Sequence, residues 1–331
     1  MSPRKHKKTS EMLLETLKER SKKGLEFARR TILAENIECE EIHEALEYYT
    51  SNWKNFTHPG LFSIACEAVG GNPDEAVRVQ AAIAMITAAL DVHDDIIDKS
   101  DMKYGRPTVF GKFGQNMALL LGNAFFVSGF TLLSKSTTRL HKEKMREILE
   151  TLKRSLFEIG SAHALELNLR GKMDTAPEDY MQILKMKAAS VEANMRIGAI
   201  VGGGTNNEIE VLTKYGRILG ILATLREDFI DVFEIQELRQ RIQNECLPIP
   251  ILYALQNEKS RRIQKILLKK RMTDEDADKL LDIVFETKEV KKLKRKMKIL
   301  IRNALRLISK IENQHIKLSL SRFVTAALED L

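Results

Sequence analysis

Helix breakers are scarce in this chain, and their placement limits its fold more than any other feature. No proline lies between Pro107 and Pro177 or between Pro177 and Pro248, and no glycine follows Gly220. Proline removes a backbone donor, and glycine costs a helix about 1 kcal/mol relative to alanine, so long stretches without either favour helices. With 17 glycines and 7 prolines in 331 residues, the chain lacks the turn residues of a strand-rich or disulfide-stapled fold. An apolar share of 44% excludes a disordered chain and suffices for a sizeable core. The expectation is one all-α domain over residues 1–331, with residues 1–10 a flexible basic arm.

Apolar periodicity predicts the elements. Helical spacing starts near Met12 and runs to Leu33, and a second amphipathic helix covers 41–52. Gly70-Gly71-Asn72-Pro73 is a break. Residues 75–98 are apolar nearly all round, as suits a central helix, and 114–134 form a second buried helix. Residues 103–108 are a loop. Further helices are expected over 143–170, 179–201, 208–237, 251–255 and through the basic tail from 273.

Several function classes recede. Cys39, Cys66 and Cys246 are odd in number and scattered, which suits small buried hydrophobes and gives no sign of an oxidising compartment. The N-terminus is basic but lacks the apolar core of a secretory signal. Apolar runs are interrupted short of a membrane span, so a cytoplasmic protein is expected, with at most peripheral membrane contact. The basic run 288–298 keeps Val290, Leu293 and Met297 at helical spacing. It therefore reads as the solvated face of an amphipathic helix, and no nucleic-acid partner is expected.

The informative charges are the acidic ones that interrupt apolar helices. Asp94-Asp95-Ile96-Ile97-Asp98, preceded by Asp91, closes the helix over 75–98. Residues four apart share a helix face, so Asp94 neighbours Asp98, and Asp91 neighbours Asp95. Glu227-Asp228-Phe229-Ile230-Asp231 repeats the pattern between Leu219 and Glu234. One such pentad alone is as well read as a surface salt-bridge face. Two on apolar helices suggest clustered carboxylates held by cations, and hard oxygen donors with spare positions suit Mg²⁺ and phosphate. Lys103 and Arg106 follow the first pentad, and Lys187 stands beside the small residues Ala188-Ala189-Ser190.

These segments, with Gly105-Arg106-Pro107-Thr108-Val109 and Lys187-Ala188-Ala189 in the same order and at similar intervals, resemble the trans-isoprenyl diphosphate synthases, the polyprenyl synthetase family. The resemblance covers roughly residues 50–260. It implies an isoprenoid-synthase-type helical bundle around a central cavity, usually dimeric, whose two acidic motifs hold three Mg²⁺ and the diphosphate of an allylic substrate. Metals and cations draw that diphosphate off, and isopentenyl diphosphate attacks the resulting allylic cation. Carried over residue by residue, the resemblance gives metal ligation to Asp94, Asp95, Asp98, Glu227, Asp228 and Asp231. It gives catalysis to Asp94, Asp95, Asp98, Lys187 and Asp228. Diphosphate contacts fall to Lys103, Arg106, Lys187, Thr224, His58 and Lys54.

Departures concentrate on one half of the site. The family's Lys and Arg before Pro59 are here Asn55 and His58, and the second of two cations after the first motif is Tyr104. The family's Phe-Gln before the second motif is Ala223-Thr224, a later Lys is Asn244, and the motif opens with Glu227. The allylic, metal-binding half is nearly complete. The half that grips isopentenyl diphosphate has lost cations, each typically worth about 1.5–3 kcal/mol. Lys54 or Arg106 reaching across, or a protonated His58, would compensate.

Three readings follow, in order: a chain-elongating synthase with a remodelled acceptor site; an enzyme that ionises an allylic diphosphate but uses another acceptor or cyclises it; and a subunit of a heteromeric synthase. A homodimer is the first expectation for assembly. In the family, the residue five before the first motif helps set product length. Here it is Ala89, with Leu90 and Ile86 nearby. A floor at Ile86 or Phe125 would give a product of about C20 or longer.

Overall fold

The computed structural model describes residues 3–136, 140–269, 272–329 and 331, with only the backbone of 3–10, 243 and 244. Among them the protein is all-α apart from one two-stranded hairpin. Packing groups the chain into two compact units, Ser10–Leu152 with Ala193–Leu212, and Met1–Thr9 with Lys153–Glu192 and Thr213–Leu331.

The first unit contains most of α1 (Pro3–Leu33), α2 (Glu40–Ser51), α3 (Thr57–Ala68) and α4 (Val77–Ile97), then β1 (Met102–Lys103), β2 (Arg106–Pro107), α5 (Val109–Phe113) and α6 (Gln115–Ser136). Helix α1 starts at Pro3, within the segment expected to be a flexible arm. Proline suits a first helical position, and the basic residues after it contain no breaker. Thirteen residues of α4 are buried, as its all-round apolar sequence requires. Helix α6 packs closely against α4: a Cβ added at Gly129 would lie 2.8 Å from Ile86 Cγ1. By length and mean hydropathy (1.7), α6 passes as a membrane span, which the sequence reading did not expect. One face of it is buried through Ala118, Leu121, Phe125 and Leu133, whereas Leu119, Leu120 and Val127 are exposed.

The region also holds the first part of α7 (Lys142–Leu167), up to Leu152, and most of α9 (Ala189–Val201). Helices α3 and α9 meet along residues spaced by four. Asn194 Nδ2 lies 2.6 Å from His58 Nδ1. One turn on, a Cβ at Gly198 would collide with Phe62 O and lie 2.8 Å from Ala65 Cβ. One turn further, a Cβ at Gly202 would lie 2.6 Å from Cys66 O. The two backbones can come this close only because residues 198 and 202 have no side chain.

The second unit contains the rest of α7, α8 (Pro177–Lys187), most of α10 (Asn206–Phe233), α11 (Ile235–Asn244), α12 (Ile249–Leu255), α13 (Ser260–Leu267), α14 (Asp274–Glu286), α15 (Lys288–Leu307) and α16 (Gln314–Thr325). The helix expected over 179–201 is two helices, broken at Ala188, where a Cβ on Gly220 of α10 would lie 2.8–2.9 Å from Ala188 atoms. The helix expected to run to 237 stops at Phe233, and extended Glu234 opens α11. Val290, Leu293 and Met297 of α15 are buried, and its lysines are exposed except Lys294, which lies over the Phe229 and Phe285 rings. Tyr215 Oη donates to Leu320 O at 2.7 Å, tying the C-terminal helix to α10. Of the cysteines, Cys66 and Cys246 are buried as expected, whereas Cys39 is exposed.

Candidate active site

In the first unit, the acidic pentad sits at the C-terminal end of α4. Helix C-termini carry negative partial charge, so carboxylates there are doubly disfavoured without cations. Lys99, at φ 52, ends the helix, and the chain returns as a hairpin pairing Met102 with Pro107 and Lys103 with Arg106. Its two-residue turn has Tyr104 at φ 54 and Gly105 at φ 76, the left-handed pair that matches strand twist. The segment expected to be a loop is thus a tight hairpin. Tyr48 Oη donates to Pro107 O at 2.8 Å, and Thr108 Oγ1 to Ser100 O at 2.6 Å, which pin it.

The hairpin brings Lys103 to the motif, where its Nζ stands 3.2 Å from Asp95 Oδ1. Asp95 is 8% exposed. Burial raises its pKa to about 6, with Lys103 opposing the rise. Asp91 is raised in the same sense by burial, although Lys103 and Asn55 favour its charged form. Asn55 Nδ2 donates to Asp91 Oδ2 at 2.7 Å, so the residue at the family's lysine position serves the end of α4. Lys103 loses solvation, but Asp91 and Asp95 outweigh that and hold it firmly charged.

The remaining candidates around this motif are placed as follows. Arg106 Nη1 donates to Asn52 Oδ1. Lys54 Nζ lies over the Tyr104 ring, 5.1 Å from its centroid, so an ammonium stands beside the position where the resemblance loses a cation. His58 is pushed down to about 4 by burial and is occupied by Asn194 through Nδ1. It is a neutral polar group, not the protonated one that the sequence reading offered as compensation. Ala89 and Ile86 are buried and Leu90 is less so, and Ile86 packs on Gly129. Phe125 packs on Tyr49 and Trp53, with ring centroids 5.1 and 5.7 Å away.

Asp94 and Asp98, one turn apart and half-buried, are hard oxygen donors of the kind Mg²⁺ takes. Among the described residues, no three His, Cys, Asp or Glu side chains are grouped as a metal centre. A cation here would draw the rest of its shell from water or phosphate oxygens.

In the second unit, the second pentad is already engaged. Arg241 of α11, 8% exposed, donates from Nη2 to Asp228 Oδ1 at 3.2 Å and from Nη1 to Asp231 Oδ2 at 2.9 Å. Ile249 N donates to Asp228 Oδ2 at 2.7 Å, so both oxygens of that buried carboxylate are bonded. Arg241 Nε reaches Cys246 O at 2.9 Å and lies 3.4 Å from Glu245 Oε2, while Nη2 also donates to Tyr180 Oη at 2.7 Å. On a straight helix at about 1.5 Å per residue, residue 241 would stand roughly 20 Å from 228. The break at Glu234 is what makes these bonds possible. Burial raises Asp231 to about 7 and also raises Asp228, with Arg241 opposing both.

Tyr180 Oη lies 3.4 Å from Glu166 Oε1, and Lys187 Nζ is 2.5 Å from Glu166 Oε2. Burial works against the charge on Glu166, but Lys187 more than compensates, so its carboxyl stays below the ordinary range. Lys187 therefore joins the network of Asp228, whereas Lys185 is exposed. Glu227 is exposed. Thr224 Oγ1 donates back to Gly220 O and Ile221 O at 3.2 and 3.1 Å. The side chain of Asn244 lies outside the described residues. Sequence reasoning missed Arg241, Tyr180, Glu166 and Asn194, each of which acts through a tertiary contact that leaves no local pattern.

Residues 39–284 match the Polyprenyl synthetase family. A short chain isoprenyl diphosphate synthase of Methanothermobacter thermautotrophicus is 31% identical over 226 residues, 68% of each chain. A geranylgeranyl diphosphate synthase of Methanosarcina mazei is 26% identical over 63% of this chain and 64% of that one. The match thus spans about two thirds of the length of these curated relatives. The crystal structure of a geranylgeranyl pyrophosphate synthetase from Pyrococcus horikoshii aligns with TM-score 0.82 at 23% identity, over 97% of this chain and 99% of that chain, a likeness of fold.

Proposed function

The chain belongs to the polyprenyl synthetase family, a family of prenyltransferases, and from that premise we propose that it joins an allylic prenyl diphosphate to isopentenyl diphosphate in a Mg²⁺-dependent reaction that releases pyrophosphate. The observation that carries this reading is the end of α4, where a buried apolar helix finishes in carboxylates and a hairpin delivers Lys103 to Asp95. Asp94 and Asp98 are the residues that would hold Mg²⁺, which when bound neutralises charge developing on the departing diphosphate. Lys103 supplies a fixed positive charge to the same group, and it is preorganised because the hairpin is pinned at Pro107 and Thr108. Lys54 and Arg106 are the cations offered to the second diphosphate. The exposed apolar face of α6, with Leu119, Leu120 and Val127, supports self-association.

A second reading, transfer to a different acceptor, is favoured by one observation. Half-buried, neutral His58 and the Asn55 bond to Asp91 leave two of the family's cationic positions without charge. One experiment separates the readings: purified protein with geranyl, farnesyl or geranylgeranyl diphosphate and Mg²⁺, with and without isopentenyl diphosphate, read by pyrophosphate release and product mass. Release that requires isopentenyl diphosphate supports the first reading. Release without it supports the second, and no release under either condition refutes both.

A further inference from the structure

We propose that Arg241 is a built-in cation that closes the second acidic motif, so that this chain binds Mg²⁺ through its first motif alone. The inference rests on the prenyltransferase reading and concerns the second motif, where the residues do not fit the family's metal. A carboxylate that already faces a fixed positive charge attracts a divalent ion less, and the ion must approach against the repulsion of that charge. Asp228 has one oxygen bonded by the Arg241 guanidinium and the other by the Ile249 backbone N–H. Asp231 gives Oδ2 to the same guanidinium, and Glu227, the remaining member of the pentad, is exposed.

The guanidinium is itself held in place. Its other contacts go to Tyr180 Oη, Cys246 O and Glu245, so all three of its nitrogens have protein partners. Guanidinium is planar and stays charged throughout the accessible pH range, and its fork matches paired carboxylates. Displacing it would strand a buried positive charge beside Tyr180, and an ion arriving without displacing it would stand next to a guanidinium. The chain is built around the contact: α10 stops at Phe233, Glu234 turns, and α11 folds back far enough to reach residues 10 and 13 positions earlier. Arg241 acts on substrate only through the motif it neutralises, and it is accordingly a positioning residue.

The test is Mn²⁺ binding to the full chain in the presence of inorganic pyrophosphate, counted by electron paramagnetic resonance of free Mn²⁺ and by calorimetry. Asp231→Asn and Asp228→Asn are expected to leave the number of bound ions equal to that of the wild type. Arg241→Gln is expected to add at least one ion, which is lost again in Arg241→Gln/Asp231→Asn. Circular dichroism identifies any variant that fails to fold. Should Arg241→Gln not fold, the Asn variants alone decide the question. Loss of a bound ion in Asp231→Asn or Asp228→Asn overturns the proposal. Asp94→Asn/Asp98→Asn serves as the separate control: if it does not abolish Mn²⁺ binding, the metal assignment at the first motif fails, whereas the Asp231 and Asp228 results still judge Arg241.

Discussion

Gly198→Ala tests whether close backbone approach sets the first unit's geometry. The new Cβ would lie 2.8 Å from Ala65 Cβ and closer still to Phe62 O. Non-bonded carbons rest at about 3.5–4.0 Å, so α3 and α9 must part by at least ~0.7 Å. Overpacking of this kind costs about 1–3 kcal/mol. Alanine returns about 1 kcal/mol of helix propensity. The net expectation is a loss of up to about 2 kcal/mol, visible as a lower urea midpoint at an unchanged slope. The same separation pulls on the 2.6 Å contact between Asn194 and His58 one turn away. The His58 ring should therefore titrate closer to an ordinary imidazole when followed by NMR. Gly160→Ala is the counterpart: it is helical and its Cβ meets nothing within 4 Å, so it should stabilise the protein by up to about 1 kcal/mol. If Gly198→Ala is as stable as Gly160→Ala, the glycine contact does not hold the helices together and the reasoning is wrong.

Other outcomes follow from the site. Lys103→Gln removes the cation from Asp95, and at about 1.5–3 kcal/mol for a charged hydrogen bond the KM for the allylic diphosphate should rise roughly tenfold to a hundredfold; an unchanged KM would remove Lys103 from the site. Asp231 is raised to about 7 in the folded chain against about 3.9 unfolded. The folded state therefore holds the extra proton, and this group's contribution to stability is lost as pH rises through that window. In metal-free buffer, the urea midpoint of Asp231→Asn should gain on the wild type from about pH 5 to about pH 8, and a shift in the opposite direction contradicts the burial argument. Ala89→Phe places a large ring at a fully buried position; mass analysis should show shorter products, and an unaltered distribution would detach residue 89 from chain length.

Much of the architecture was legible because it rests on local physics. Apolar periodicity in proline-free runs marked α4, α6, α7 and α10 to within a few residues, since an apolar helix needs nothing from elsewhere to announce itself. The acidic pentads were legible for the opposite reason, as charges that violate that pattern. The breaks at Ala188 and Glu234 were hidden because neither position carries proline or glycine. At Ala188 the tell-tale residue is Gly220, 32 positions away. Arg241 was hidden in the same way: on α11 it is one of several charged residues, and only the turn at Glu234 makes it a partner of Asp228. His58 stood as a replacement for a lost cation, and its contact with Asn194, which no local pattern announces, disfavours its charged form.

The guanidinium at Asp228 also bears on how the protein handles metal scarcity. A tethered cation cannot be removed by a chelator or diluted, because its effective concentration at the carboxylate is set by the chain. Treatment with EDTA should therefore empty the first motif and leave the charge balance of the second unit untouched. The α10–α11 corner would then mature at the same rate in metal-poor and metal-rich cells, with divalent ions required only when substrate arrives.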